Sequence, residues 1–461
     1  MEFSYNMFRS RKIKNKYFLT TDHGSYCILN KEEYNKLKNN DFLKNSKLYK
    51  KLEEREILNT DNNINETKRL SKSKNEFLSQ GTSLHIIVLT LRCNMNCEYC
   101  HAAAKGETNN KYDMTIETAK KTVDFIFQTP SKSITIEFQG GETLINWDVL
   151  KYIVSYSKEK NKIAKKNLVF TTVSNLSEMT NEKLEYLIAE DVDICTSFDG
   201  PKDLHDTNRP TNYGSNYDVV VKWIRTITHE YKKRNIPKEV GALVTLTKKS
   251  LNYPKQIVDE YINLGLKSLH LRFLNVLGRS EHNNKIHYTA EEFMSFWKKA
   301  MKYIIKKQQE GFDIEERMAN IMIDKITSEF DPGYLDLRNP CGAVIGQMAY
   351  NYDGNIYTCD EGRMIDDDIF KVGNVFENTY KEVVTSDCTC TIVNSSILDG
   401  YSTCKICAYK PYCGICPVCN YAEQGNLIAK ISETIRCKIY KAQFDWLIEN
   451  YFFNNNEKKK K

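Results

Sequence analysis

Leu91-Arg92-Cys93-Asn94-Met95-Asn96-Cys97-Glu98-Tyr99-Cys100 sets three cysteines at a Cys-x3-Cys-x2-Cys spacing, just after the apolar run Leu84-His85-Ile86-Ile87-Val88-Leu89. Three thiolates on one short loop can hold three irons of a 4Fe–4S cluster and leave the fourth open. A closed electron-transfer cluster takes four cysteines. A metal site short of one protein ligand is one that admits a substrate or cofactor. Read alone, the loop also suits a zinc knuckle with His101 as fourth ligand, or a set of buried free thiols.

The loop opens an alternating pattern. Between about 83 and 275, apolar strand-like runs recur at 84–90, 133–138, 168–174, 192–198, 240–246 and 268–274. Helix-like segments lie between them near 115–128, 147–160, 181–190, 215–234 and 253–264, with Asn181 and Tyr253-Pro254 as helix starts. Alternating β and α over this length implies a parallel sheet with right-handed crossovers. Six units suit an open, partial barrel, whose site lies at the carboxyl ends of its strands. An open iron on that rim suggests a chelating S-adenosylmethionine (SAM) and radical chemistry.

The other strand ends carry polar groups. The second ends in Phe138-Gln139-Gly140-Gly141-Glu142, where paired glycines allow close backbone approach to a ligand and Glu142 could accept from an ammonium group. The third ends at Ser174-Asn175 and the fourth at Ser197-Phe198-Asp199-Gly200-Pro201, followed by His205-Asp206 and Asn208-Arg209-Pro210. Converging hydroxyl, carboxylate and guanidinium groups suit a ribose and a carboxylate. Helix capping and turn formation is the plainer explanation for each taken singly.

From 340 to 437 cysteines crowd again: Cys341, Gly354-x4-Cys359, Cys404-x2-Cys407-x5-Cys413-x2-Cys416-x2-Cys419, and Cys437. These eight exceed one zinc site and could fill two four-thiolate clusters; on spacing alone, two structural zincs also fit. Cys388 and Cys390 are either a further ligand or free thiols, and Cys27 and Cys195 read as small buried side chains.

The 461 residues allow one large domain with smaller ones. The net charge of +6 owes much to the Lys458-to-Lys461 tail, read as a solvated end, so nucleic acid is not indicated. No signal peptide and no apolar run of membrane-spanning length stands in the sequence, which points to the cytoplasm, where fifteen cysteines argue for metal binding over disulfides. In the polar first segment, about 1–80, Tyr17–Thr21 and Ser25–Leu29 read as strands around Asp22-His23-Gly24. A helix follows from Lys31 to about Lys38 with Asn30 as N-cap, and Asn59 to Asn75 reads as a linker. A helical bridge is expected near 290–328 and a last helix near 438–450.

Over about 83–445, these motifs together resemble a radical SAM enzyme with a SPASM-type C-terminal extension. Within that group the chain is most similar to peptide maturases of the His-Xaa-Ser system, on Ile136-to-Glu142, Pro411-Tyr412-Cys413-Gly414 and Arg436-to-Tyr440. The resemblance implies an α/β fold: a partial (β/α)6 radical SAM barrel over 81–285, an N-terminal α+β module over 1–80, a helical bridge over 286–335, and an iron–sulfur SPASM domain with a C-terminal helix over 336–461. It implies that Cys93, Cys97 and Cys100 hold the SAM-binding 4Fe–4S cluster. Gly140, Gly141 and Glu142 would hold the SAM amino group, Ser174, Ser197 and Arg209 its carboxylate or ribose, and Tyr99 would lie beside the adenine. Cys404, Cys407, Cys413 and Cys437 would bind one auxiliary cluster, and Cys341, Cys359 and one of Cys416 or Cys419 another. Thr143 stands where the family has proline, and the last step of the cysteine run is x2 where the family has x3. The fourth ligand of the second set therefore stays open among Cys416, Cys419, Cys388, Cys390 or substrate.

The implied activity is reductive SAM cleavage followed by hydrogen abstraction from a ribosomally made precursor peptide, with Asp360 as general base. The implied partners are that peptide, an electron donor such as flavodoxin or ferredoxin, and in some systems a paired radical SAM protein. The 1–80 module would grip a leader peptide by strand addition or complete the fold. The alternatives are a sulfatase-maturating type of enzyme acting on a protein side chain, and a non-catalytic iron–sulfur partner of another maturase.

Overall fold

Burial alternates along Ser133–Gly140: Ile134, Ile136 and Phe138 are fully buried, while Thr135, Glu137 and Gln139 are only partly covered. A period of two places the first set beneath the flanking helices and the second toward the lumen of a curved sheet. The same alternation recurs on the next two strands and closes the wall of a barrel. The computed structural model describes residues 3–102, 104–365 and 367–453; the Lys458-to-Lys461 tail lies outside the described residues.

The chain opens with an antiparallel sheet of β1 (Phe8–Ile13), β2 (Lys16–Thr21) and β3 (Tyr26–Asn30) in that order. Helix α1 (Lys31–Lys38) follows with Asn30 at its N-cap, its side chain accepting from the Glu33 amide while Glu33 bonds back to the Asn30 amide. Strand β1 goes beyond the two expected strands. After α2 (Lys47–Glu54), the expected linker is instead mostly helix, α3 (Ile64–Lys74), with Asn63 making no side-chain cap. Its charges explain why: Arg69 pairs with Glu66 one turn back and with Glu329 across the fold, and Lys74 donates to the Lys325 carbonyl at 3.0 Å.

The barrel comprises β4 (Leu84–Thr90), α4 (Ile116–Ile126), β5 (Ser133–Gly140), α5 (Trp147–Ala164), β6 (Asn167–Ser174), α6 (Asn181–Ala189), β7 (Val192–Ser197), α7 (Lys202–Asn208), α8 (Asn216–Lys233), β8 (Gly241–Thr245) and α9 (Gln256–Asn263). The expected last strand is broken into β9 (Ser268–Leu269) and β10 (Leu271–Arg272). After α10 (Ala290–Gln309), β11 (Glu315–Glu316) pairs in parallel with β9 and leads into α11 (Arg317–Thr327). Helix α6 begins at Asn181 as expected, with the Thr180 side chain capping it.

Beyond α11 come β12 (Gln347–Tyr350), β13 (Asn355–Tyr357) and β14 (Lys371–Asn374), then α12 (Asp387–Ser395), α13 (Pro417–Gln424) and α14 (Ile435–Leu447). The nine-stranded sheet runs β10-β8-β7-β6-β5-β4-β12-β13-β14. It is parallel from β10 to β12 and antiparallel beyond, so the C-terminal segment continues the barrel sheet past its first strand. One hydrophobic core serves both: Trp297 of α10 meets Trp446 of α14 edge-on at 5.3 Å, and His85 of β4 is hydrogen-bonded to Tyr350 of β12 at 2.8 Å. No helix among the described residues is long and apolar enough to cross a membrane.

Glu316 locks the β11–α11 junction. Its carboxylate accepts from the Leu271 amide at 3.0 Å and from the Ala319 amide at 2.6 Å, while burial pushes its carboxyl up to about 7. Between the unfolded value near 4.5 and about 7 the folded state therefore holds the extra proton, and stability falls as pH rises through that window, by about 3 kcal/mol at most. Glu316→Gln should flatten this fall. Denaturation midpoints at pH 5 and pH 7.5 test it, and an unchanged pH dependence would refute it.

Candidate radical SAM site

The cysteine loop has almost no regular structure of its own and is held from outside. Glu98 N donates to Asn208 O at 2.9 Å, Asn96 N to Pro210 O at 3.1 Å, and Arg279 N to Cys100 O at 3.0 Å. From the second strand end, Gly141 N donates to Thr90 O and Glu142 N to Arg92 O, both at 2.8 Å. Contact this close requires bare backbone. A Cβ on Gly140, whose φ is +146°, would stand 2.2 Å from Thr90 O, and one on Gly141 would stand 2.1 Å from Arg92 O. Cys93, Cys97 and Cys100 lie within electrostatic reach of one another, and burial pushes the Cys93 and Cys97 thiols up to about 12 and about 11.

Glu142 is turned inward and fully buried. Its carboxylate accepts from Ser174 Oγ at 2.6 Å, Leu144 N at 3.0 Å and Asn175 N at 2.8 Å. Those bonds let Glu142 and the Ser174 hydroxyl brace the turn against β6. The Ser197 hydroxyl sits on the lumen side of β7, partly exposed.

Asp199 gathers the fourth strand end. Its Oδ2 accepts from Tyr99 OH at 2.7 Å and from Arg209 Nε and Asn208 Nδ2, each at 3.3 Å, and its Oδ1 accepts from Thr245 N at 3.2 Å. Arg209 lies over the Tyr99 ring at 5.2 Å and reaches Cys97 Sγ at 3.9 Å. Tyr99 is 5% exposed, so its ring belongs to this packed knot. Asp199, one of the converging groups of the Ser197-to-Pro201 strand end, is the centre of that knot. Asn175, at the third strand end, brings its amide within 3.8 Å of Cys93 Sγ.

His101 does not act as a fourth donor through Nε2, which is hydrogen-bonded to the Asn275 carbonyl at 2.9 Å; burial lowers the ring to about 4 and keeps it neutral. The same Asn275 reaches the C-terminal segment: its Oδ1 accepts from Arg436 Nη2 at 3.3 Å and lies 4.0 Å from Cys419 Sγ.

The eight later cysteines fall into two groups of four by mutual electrostatic reach. Cys404, Cys407, Cys413 and Cys437 form one and line a common cavity. Cys341, Cys359, Cys416 and Cys419 form the other, within one buried cluster. Cys416 is within electrostatic reach of Cys341 and Cys419, and it also lines the cavity of the first group. Cys388 instead donates to the Ile369 carbonyl at 3.2 Å and Cys390 is exposed. Cys27 is buried as expected, whereas Cys195 faces the lumen near Glu137. Among the described residues, no three His, Cys, Asp or Glu side chains converge tightly enough to hold a single metal ion. Asp360 is ion-paired to Arg363 at 2.9 Å, beside Cys359.

Residues 87–248 match the radical SAM superfamily. An uncharacterized protein of Methanocaldococcus jannaschii is 31% identical over 223 residues, covering 48% of this chain and 72% of that protein. A cysteine-type anaerobic sulfatase-maturating enzyme of Clostridium novyi is 21% identical over 79% of this chain and 95% of its own. The crystal structure of Streptococcus suis SuiB bound to precursor peptide SuiA superposes with a TM-score of 0.55 at 13% identity, covering 92% of this chain and 98% of that one. The chain belongs to the radical SAM superfamily. It is a radical SAM enzyme, and its cofactors are SAM and a 4Fe–4S cluster. The donor set fits them: three neighbouring thiols on a loop, against a glycine pair whose backbone is bare.

Gly141→Ala forces the β5 turn off the Arg92 carbonyl. SAM affinity, read by equilibrium dialysis, should fall at least about tenfold. Unaltered affinity would show that the close approach is dispensable.

Proposed function

We propose that this enzyme is a peptide maturase: it cleaves SAM reductively and modifies a ribosomally made precursor peptide by hydrogen abstraction. One observation carries the reading. Asn275 links the two centres: its carbonyl is bonded to His101 Nε2, next to Cys100, its Oδ1 lies 4.0 Å from Cys419 Sγ, and the Arg272–Glu361 and Arg363–Asp360 pairs stand within electrostatic reach of His101. A substrate entering beside Asn275 meets both centres. Bound together, SAM and the reduced cluster supply a 5′-deoxyadenosyl radical.

The chain's own residues would divide the work as follows. Cys93, Cys97 and Cys100 hold the cluster, and the Gly140–Gly141 turn, braced by Glu142 and Ser174, holds SAM with Ser197, Arg209 and Tyr99. The two four-cysteine groups form a SPASM-type extension with two auxiliary 4Fe–4S clusters, the inner one completed by Cys416 and Cys419 together. Asp360 takes a proton from the substrate, and Arg363, 3% exposed at its side chain, orients it. The domains divide as 1–80, 81–285, 286–335 and 336–461. All fifteen cysteines are free, which favours a reducing cytoplasm and a flavodoxin or ferredoxin as electron donor. The His-Xaa-Ser type of precursor is the substrate class we favour.

The similarity to the Clostridium novyi enzyme supports a second reading, modification of a sulfatase side chain. Mass spectrometry of a co-expressed precursor peptide, with and without this enzyme, decides between them: an enzyme-dependent mass change is expected, and an unchanged peptide beside a modified sulfatase peptide would overturn the first reading. Asp360→Asn should leave 5′-deoxyadenosine formation intact and lower product at least about a hundredfold. Product formation at the wild-type rate would remove Asp360 from the mechanism.

A further inference from the structure

Among the described residues, one arginine at the barrel lumen has no ion pair and no side-chain hydrogen bond. Arg317 follows the carboxyl end of β11 directly, which places it at the same end of the barrel as the cysteine loop. Its neighbour Glu316 turns inward to cap α11, and Arg317 is left exposed. Its guanidinium lies within electrostatic reach of Glu137 on β5 and Cys195 on β7, the lumen-facing positions of two different strands. An exposed side chain that reaches the inner wall of two strands borders the lumen rather than the outer surface.

The other charges there are already paired. Arg272 meets Glu361 at 2.9 Å and Arg363 meets Asp360 at 2.9 Å. Glu137 accepts from Gln139 Nε2 at 2.5 Å, and burial raises its carboxyl above the ordinary range. Arg317 makes no ion pair and no side-chain hydrogen bond among the described residues. Arg317 is thus left with its guanidinium free of direct contacts there, and a guanidinium is a planar five-donor fork suited to two oxygens at once.

We propose that Arg317 receives the carboxylate of an aspartyl or glutamyl residue of the peptide substrate, and so selects sequences with an acidic residue next to the attacked one. This rests on the peptide-maturase reading and adds a specificity to it. A carboxylate placed there gains a charge-assisted pair in a space partly shielded from water, and its amide counterpart leaves the guanidinium half-satisfied. A lysyl residue meets like charge.

The test uses the anaerobically reconstituted, SAM-loaded enzyme and three blocked tripeptides, N-acetylated and C-amidated, with a central aspartate, asparagine or lysine. Binding is followed by saturation-transfer NMR with competition. The aspartyl peptide should bind about tenfold more tightly than the asparaginyl one, and lysyl weakest. Arg317→Gln should erase the aspartate preference and Arg317→Lys should keep part of it, with iron content and circular dichroism reporting that both variants fold. Equal binding of aspartyl and asparaginyl peptides, or a preference that survives in Arg317→Gln, overturns the proposal and leaves the peptide reading standing. Absence of binding by all three peptides counts against the peptide reading itself, and the specificity falls with it.

Discussion

The site depends on a contact that only two glycines permit. The cysteine loop cannot fold itself: it lacks a helix or strand to satisfy its backbone, and its bonds run to segments far away in sequence. The Gly140–Gly141 turn presses against the carbonyls of Thr90 and Arg92, where any side chain would collide. That contact ties the end of β5 to the exit of β4 and sets the height at which Cys93 leaves the barrel. Glu142 then transmits the position of β6 to the same turn through two hydrogen bonds, from Ser174 Oγ and Asn175 N, so three strand ends are registered at one point.

Burying many thiols at two centres poses an electrostatic problem, and the chain answers it twice in the same way. A guanidinium approaches one sulfur of each centre: Arg209 at Cys97, 3.9 Å away, and Arg436 at Cys419, 3.3 Å away. Each arginine is buried and meets a carboxylate elsewhere, Asp199 at 3.3 Å and Asp336 at 3.3 Å. A buried guanidinium without an anion would cost several kcal/mol, and a thiolate cluster without a cation would bear its charge alone. The arginine between the two serves both, and hydrogen bonding to sulfur is a recognised lever on cluster potential. Asn275 touches the second of these arrangements and, through its backbone, the loop of the first.

Much of this was legible in the sequence because it is local. Recurring apolar runs marked the strands, Asn30 marked a helix start, and the spacing at Cys93 marked the loop. What escaped was long-range or masked by charge. Helix α3 reads as a linker because it buries no residue fully and relies on ion pairs, one of them spanning 260 positions. Strand β1, Phe8–Ile13, hides its alternation behind three basic residues. Spacing could not show that Cys416 and Cys419 share one buried cluster with Cys341 and Cys359, since 56 residues of chain lie between Cys359 and Cys416. Nor could it show which way Cys195 points, because a one-residue change of register exchanges core and lumen.

The N-terminal sheet acquires a structural duty from the same kind of contact. The segment carrying Cys404, Cys407 and Cys413 is mostly short turns, with few backbone bonds of its own. The first sheet supplies partners: Arg9 Nε donates to Lys405 O at 2.5 Å, Thr20 Oγ1 to Ala408 O at 2.7 Å, and Tyr412 OH donates to Gly24 O at 2.8 Å. Lys410 bridges Asp22 and Asp399, each through its Nζ, at 2.9 Å and 2.5 Å. These bonds hold the outer thiol group alongside α14, whose Asp445 pairs with Arg11 of β1. A peptide gripped by the sheet would thus rest on the element that holds the outer cysteines in place, and the sheet's role in folding does not depend on that peptide being bound.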